Sequence, residues 1–423
     1  MEKCKISLLA AMCSVAVLFS ACSNGNDGIL EPVFRQVPNE TDTPDPTENE
    51  DPEDERSAVE RTFDGRIDLE NLENYANQLI PGYIDKDNSG NNPITNAGAT
   101  LGRVLFYDVN LSIDNTISCA SCHQQALAFG DDAIASVGVN GQTGRHSMRL
   151  VNARFADEDQ FFWDERAQTL EIQTSQPIQD HVEMGFSGQA GNPDLDDLID
   201  KLQEIDYYQE LFMFVYGDPM VNEVRIQLAL AQFVRSIQSF DSKYDMGRAQ
   251  VNDNQPFPNF TQQENQGKNL FMQRPQLNNQ GVRTAGGAGC NACHRAPEFD
   301  IAPNSRNNGL IETLSGQGTD TDVTRSPSLR DLVNVSGTLN GPLMHTGGMS
   351  DLATVIDHYN EIEQVPNLDN RLRAGGGPGG GGGGGGAPQN LGLSDEEKEA
   401  LVAFLQTLTG SAVYADSKWS DPF

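Results

Sequence analysis

A mainly α fold, arranged as two successive domains with long loops, is what this sequence predicts, and three observations carry the prediction. Apolar residues recur at helical spacing in several windows, and strand-like alternation is scarce. One five-residue pattern, Cys-x-x-Cys-His, occurs twice, at Cys119–His123 and Cys290–His294, about one domain length apart.

The helical windows come in chain order. Leu195, Leu198, Ile199 and Leu202 mark a helix after Pro193, and Val224, Leu228, Ala231, Phe233 and Ile237 a longer one. Leu401, Phe404, Leu405 and Leu408 mark a last helix, opened by Ser394 with Glu397 three residues on, the pattern of a capping box. The boundaries that follow are 74–250 for the first domain and 261–412 for the second.

Ahead of these lies an address. Lys3 and Lys5 precede an apolar stretch from Ile6 to Phe19, too short to be a typical membrane span, and Ser20–Ala21–Cys22 puts small residues before a cysteine. Residues 1–21 read as a lipoprotein signal peptide, with Cys22 the lipidated first residue of an exported, periplasmic protein. Phe19 departs from the usual small aliphatic residue, and an ordinary cleaved signal is the alternative. Residues 22–73, rich in Pro, Asp and Glu, are expected to form a disordered acidic tether, because such composition buries too little apolar surface to offset chain entropy. Gly375–Gly386, interrupted only by Pro378, reads as a flexible loop.

The formal charge is −33 over 423 residues, which excludes nucleic acid as a partner, since phosphate binding needs a basic face. No run beyond the first 25 residues is long and apolar enough to span a bilayer, so the expected membrane contact is the N-terminal lipid alone.

Of seven cysteines, Cys4 and Cys13 fall in the signal and Cys22 follows it. The other four all sit in the two repeated motifs, leaving none for a structural disulfide. Two cysteines spaced in this way add across the vinyl groups of a haem, and the adjacent histidine reaches its iron. A zinc site would need further ligands, and a redox dithiol does not call for the histidine. Two covalently bound haem c groups are therefore predicted, on Cys119, Cys122 and His123 and on Cys290, Cys293 and His294.

Several landmarks lie around these motifs: Leu101–Asp108, Phe162–Ala167 with its Trp163, Val182–Gly185, Arg325–Arg330, and Met344–Gly348 leading to Asp357–Asn360. In this order and at these separations the chain resembles the bacterial di-haem cytochrome c peroxidase family, which includes MauG-like enzymes. The resemblance implies two cytochrome c-like haem domains, a peroxidatic N-terminal one and an electron-transfer C-terminal one. It implies that Glu183 moves a proton at the peroxide site, that Gln173 orients peroxide, and that Trp163 lies between the haems. Two departures follow. The loop Ala135–Gly141 lacks the histidine that blocks the first haem in well-known relatives, and His146 is the nearest, so the first haem is expected to be open. On the far side of the second haem the corresponding position is Tyr359, with Met344 and His358 as competing ligands. A calcium ion between the domains is also implied, near His146, Asn340 and Pro342. His181 reads as a loop residue beside Glu183, and His345 as lining the second haem.

The activity implied is a cytochrome c peroxidase-type oxidoreductase. It reduces hydrogen peroxide with electrons from a small donor protein, a cytochrome c or cupredoxin. The alternatives are a MauG-like oxidase that modifies a protein or small molecule, and a di-haem electron carrier without turnover.

Overall fold

The computed structural model describes residues 55–157, 160–376 and 385–423. The signal peptide, Cys22, the tether before Glu55 and most of the glycine-rich loop lie outside them. Eleven α-helices occur among the described residues: α1 Ala58–Phe63, α2 Asn96–Tyr107, α3 Cys119–Cys122, α4 Leu170–Gln179, α5 Leu195–Gln203, α6 Asp206–Tyr216, α7 Glu223–Ser236, α8 Lys243–Arg248, α9 Gln262–Met272, α10 Leu352–Asn360 and α11 Asp395–Gln406. The three predicted helices are α5, α7 and α11, and Ser394 and Glu397 do form the capping box of α11. Among the described residues, strands are confined to three short antiparallel pairs: β1 Val137–Gly138 with β2 Gly141–Gln142, β3 Pro275–Leu277 with β4 Arg283–Gly286, and β5 His294–Arg295 with β6 Asp300–Ile301.

Arg56–Phe423 is one compact unit holding two large apolar clusters, one built chiefly on α2, α6 and α7 and one on α9 and α11. Each cluster is organised by the same crossing. The helix ahead of a Cys-x-x-Cys-His motif packs on a later helix through a glycine. A Cβ on Gly102 of α2 would overlap the carbonyl oxygen of Ala229 on α7, and a Cβ on Gly267 of α9 would overlap that of Ala400 on α11. In both cases the aromatic residue one turn on, Phe233 or Phe404, closes the contact, its own Cβ 2.8 Å from the position of the added atom. The repeat lies in backbone approach rather than in sequence identity. Gly267→Val should therefore force the α9–α11 pair apart and lower stability by about 1–3 kcal/mol. A denaturation midpoint unchanged from wild type would show that the crossing relaxes freely.

Two boundaries move. The expected tether 22–73 does not extend to 73: α1 begins at Ala58 behind a Ser57–Glu60 capping box, and Val59, Phe63, Ile67 and Tyr75 are buried in the first cluster. Val59 and Phe63 lie one turn apart on one face of α1, which the surrounding charge hides in any composition average, and Ile67 follows beyond the helix end at Asp64. At the other end, residues beyond 412 leave the second cluster, and Val413 and Trp419 are buried in the first.

Candidate haem-binding and active site

Each Cys-x-x-Cys-His motif opens on an apolar cavity. In the first, α3 presents Cys119 and Cys122, and His123 follows at its end. The His123 Nδ1 lies 3.3 Å from the Phe129 carbonyl oxygen, so an Nδ1–H donated there leaves Nε2 for the cavity. Burial pushes the imidazole down to about 4, so it is neutral and able to act as a ligand. In the second cavity Cys290 and Cys293 flank a 3₁₀ turn, and His294 follows in β5. Burial takes His294 down to about 4 as well. All four described cysteines are free thiols. Burial pushes Cys119 and Cys290 up to about 12 and Cys122 and Cys293 up to about 11. Each pair of free thiols is followed by a neutral histidine at the same cavity, which is the donor set of a c-type haem. The residues fit two c-type haems.

The first cavity gathers the predicted peroxide-handling residues. Gln173, on α4, and Glu183, in the turn after it, both line the wall. Burial, aided by the negative charge of Asp180 and opposed by Arg166, pushes the Glu183 carboxyl up to about 7. The Ala135–Gly141 stretch supplies β1 and its turn, which clamp the Glu183 segment: Val139 N–H donates to the Glu183 carbonyl (3.0 Å) and Asn140 N–H to that of Val182 (3.1 Å). Gly138 sits where any Cβ would strike the Val182 carbonyl. His181 points elsewhere, toward Ser187 Oγ and Asn192.

Trp163 lines both cavities and is 9% exposed, so it is part of the wall between them. Its Nε1–H donates to the His146 carbonyl (2.7 Å), and its own carbonyl accepts from Thr324 N–H (2.9 Å) and Arg325 N–H (3.0 Å). That joins the Phe162–Ala167 and Arg325–Arg330 segments at the wall. His345 packs edge-on to the Trp163 ring at 6.1 Å, lines the second cavity, and has Nε2 2.9 Å from the Glu312 carbonyl. His146 is buried on the shared wall with Nδ1 2.9 Å from the Ala133 carbonyl, an engagement that ties down its ring. Asn340 is buried too, its amide donating to the Asp331 carbonyl and the Tyr414 hydroxyl, both 2.8 Å, and Pro342 lines the second cavity. No cluster of three or more His, Cys, Asp or Glu that could hold a metal ion occurs among the described residues.

On the second cavity's wall Tyr359, from α10, and Met344 are neighbours, because one amide reaches both. Asn308 Nδ2 donates to the Tyr359 hydroxyl at 3.0 Å and lies 3.7 Å from Met344 Sδ. Burial raises the Tyr359 hydroxyl above its usual range, opposed by the Asn308 hydrogen bond. His358 is turned away to the Asn308 carbonyl, 3.1 Å from Nε2, and does not line the cavity. Sequence reasoning missed Asn308, which lies in a loop without a motif. It also missed Arg166, which lines the first cavity and stacks 3.5 Å over the Phe162 ring while pairing with Asp164.

Known proteins are similar to this chain in sequence and fold. The family model for di-haem cytochrome c peroxidases matches residues 96–253. The methylamine utilization protein MauG of Methylophilus methylotrophus is 30% identical over 331 residues, 76% of this chain and 85% of that protein. The cytochrome c551 peroxidase of Nitrosomonas europaea is 27% identical, covering 74% of this chain and 80% of its own length. The crystal structure of a MauG-like protein associated with microbial copper homeostasis superposes with a TM-score of 0.60 at 26% identity, over 82% of this chain and 99% of that one. Membership implies haem c on both motifs, as the cavities suggest. The chain is an oxidoreductase of the di-haem cytochrome c peroxidase family, the family that includes MauG.

Proposed function

We propose that the protein reduces hydrogen peroxide to water in the first cavity, with electrons from a small redox protein, a cytochrome c or cupredoxin, entering by way of the second. The observation that carries this reading is Glu183, a carboxyl poised near neutrality in the same cavity as His123. Peroxide needs two electrons and two protons to become two waters. A carboxylate of this kind takes the proton from one peroxide oxygen and returns it to the other as the O–O bond breaks, so that water and not hydroxide departs. Gln173, both donor and acceptor, orients the peroxide. The haems, when bound, supply the iron at which peroxide is reduced and a store for the electrons. Trp163 bridges the wall between the cavities as an electron path. A steady-state assay with peroxide and reduced cytochrome c tests the proposal. Turnover supports it, and haems that reduce and reoxidise without consuming peroxide would leave a pure electron carrier.

Tyr359 favours a second reading, a MauG-like oxidase that modifies a protein or small molecule. Tyr359 would hold the second haem's iron through its phenolate, which would stabilise the ferric state and lower the potential, where the Met344 thioether would raise it. We expect Tyr359→Phe to change the visible and near-infrared spectrum of the second haem and Met344→Leu to leave it intact. A thioether-to-iron charge-transfer band that disappears in the Met344 variant would assign Met344 instead. Export to the periplasm, attachment through a lipid on Cys22, and a calcium ion held partly by backbone carbonyls near His146, Asn340 and Pro342 belong to the same proposal.

A further inference from the structure

We propose that Asp180 is the positioning residue of the first cavity, fixing the Glu183 turn and supplying the negative charge against which the Glu183 carboxyl works. The proposal rests on Glu183 as the proton-transferring group. Helix α4 ends at Gln179, and Asp180 is the residue that caps it. A carboxylate there faces the negative end of the helix dipole, where a cation is the favoured occupant, so helix stability does not account for it. The hydrogen bonds do. Asp180 Oδ1 accepts from Val182 N–H at 2.8 Å and from Glu183 N–H at 3.0 Å, and its carbonyl accepts from Gly185 N–H at 2.8 Å.

Glu183 is thus held on its N–H by Asp180 and on its carbonyl by the Val139 N–H of the hairpin turn, with Gly138 leaving no slack behind it. Only the side chain remains free to move, and Asp180 and Glu183 both line the cavity. Arg166 is the cation that favours the ionised form of Glu183, and that guanidinium already pairs with Asp164 at 2.9 Å, while Arg145, Arg149 and Arg325 also line the cavity. Cys119 and Cys122, from α3, also lie near Glu183, and thioether attachment to the haem removes their titration. The hairpin Val137–Gln142 brings no charged residue. Asp180 is the anion next to the reacting carboxyl. A like charge favours the protonated carboxyl and Arg166 favours the ionised one, so the pair sets the pH at which Glu183 exchanges its proton.

The test compares Asp180→Ala, Asp180→Asn and Glu183→Gln in the haem-loaded full chain. It measures peroxide turnover against pH together with an infrared titration of the carboxyl band that Glu183→Gln removes. Asp180→Ala should lower kcat/KM about tenfold, the effect of one lost charge-assisted hydrogen bond. Asp180→Asn keeps the accepting oxygen and loses the charge. It should recover most of that loss while moving both the acid limb of the pH profile and the band titration to lower pH. An alanine variant with wild-type turnover would overturn the proposal. So would an asparagine variant whose band titrates as in wild type, the result expected of a simple turn-stabiliser. If Glu183→Gln keeps its turnover, the role of Glu183 fails instead, and the band shift in the Asp180 variants still decides whether the two carboxyls are coupled.

Discussion

Glu183→Gln should lower kcat for peroxide reduction by about 10²–10⁴-fold, the range for losing a positioned general base and acid. Glutamine keeps the shape and hydrogen-bonding reach of the side chain but cannot accept a proton. The pH dependence identifies the group. Burial, with Asp180 beside it, pushes this carboxyl from its ordinary 4.5 up to about 7. The ionised form must take the first proton, so kcat/KM should rise as pH climbs through about 7 and then level off, and the limb should vanish with Gln. Stability runs the opposite way. The folded carboxyl holds its proton more tightly than the unfolded one, so ionising it costs stability, and that cost accumulates as pH rises from 4.5 to about 7. Glu183→Gln should therefore melt at or slightly above the wild-type temperature at pH 8 while turning over far more slowly. A variant within about threefold of wild-type kcat would remove Glu183 from the chemistry, whatever its melting temperature.

How much of this was legible in the sequence follows from where the information sits. The haem attachment residues were legible because the chemistry demands cysteines and a histidine at fixed local spacing. Helices α5 and α11 were legible because each buries one stripe, and α11 also carries its own start signal, whereas α7 is buried on every side from Ala229 to Ser236 and leaves Val224 exposed. That Glu183, Gln173 and Trp163 share one cavity wall came from resemblance, since nothing local to a Val-Glu-Met-Gly turn points to a haem pocket. The rest depends on contacts between distant segments. Arg330 is wholly buried, with Nη1 2.7 Å from Asp245 and Nη2 donating to the Pro297 carbonyl at 2.8 Å, among Phe240, Tyr244 and Phe299. A buried arginine needs such partners, and neither Asp245 nor Pro297 is near it in sequence. Asn308 follows the same rule, meeting Met344 and Tyr359 from far along the chain. Helix α1 was missed for a different reason, being a single turn and a half of amphipathic chain set in acidic surroundings.

The C-terminal segment is the largest structural feature that local patterning concealed, and it yields the second large prediction. Trp419 sits in a polar stretch, Asp416 to Asp421, that reads as a frayed end. It is instead 1% exposed, among the largest fully buried side chains, and packed into the first apolar cluster although it follows the second domain in sequence. Its Nε1–H donates to Ser236 Oγ of α7 at 3.1 Å, and its carbonyl accepts from the Tyr107 hydroxyl of α2 at 2.6 Å. Arg103 Nε–H donates to the next carbonyl, Ser420, at 2.6 Å, and Phe423 packs on Phe63 of α1 at 5.1 Å. The strap thus ties together the three helices α1, α2 and α7. It also reaches the haem side, because Gln125, two residues past His123, donates to the Asp416 carbonyl at 3.0 Å. Trp419→Ala removes the indole and leaves a cavity, while Ser236 Oγ loses one donor and keeps its bond to the Phe233 carbonyl, at a cost of about 3–5 kcal/mol. Chemical denaturation followed at the first haem should shift to correspondingly lower denaturant, because the lost packing belongs to the cluster that holds Cys119. Trp419→Phe should recover part of the loss, keeping apolar volume without the hydrogen bond. A loss below about 1 kcal/mol in the alanine variant would mean that the strap rests on the first domain without supporting it.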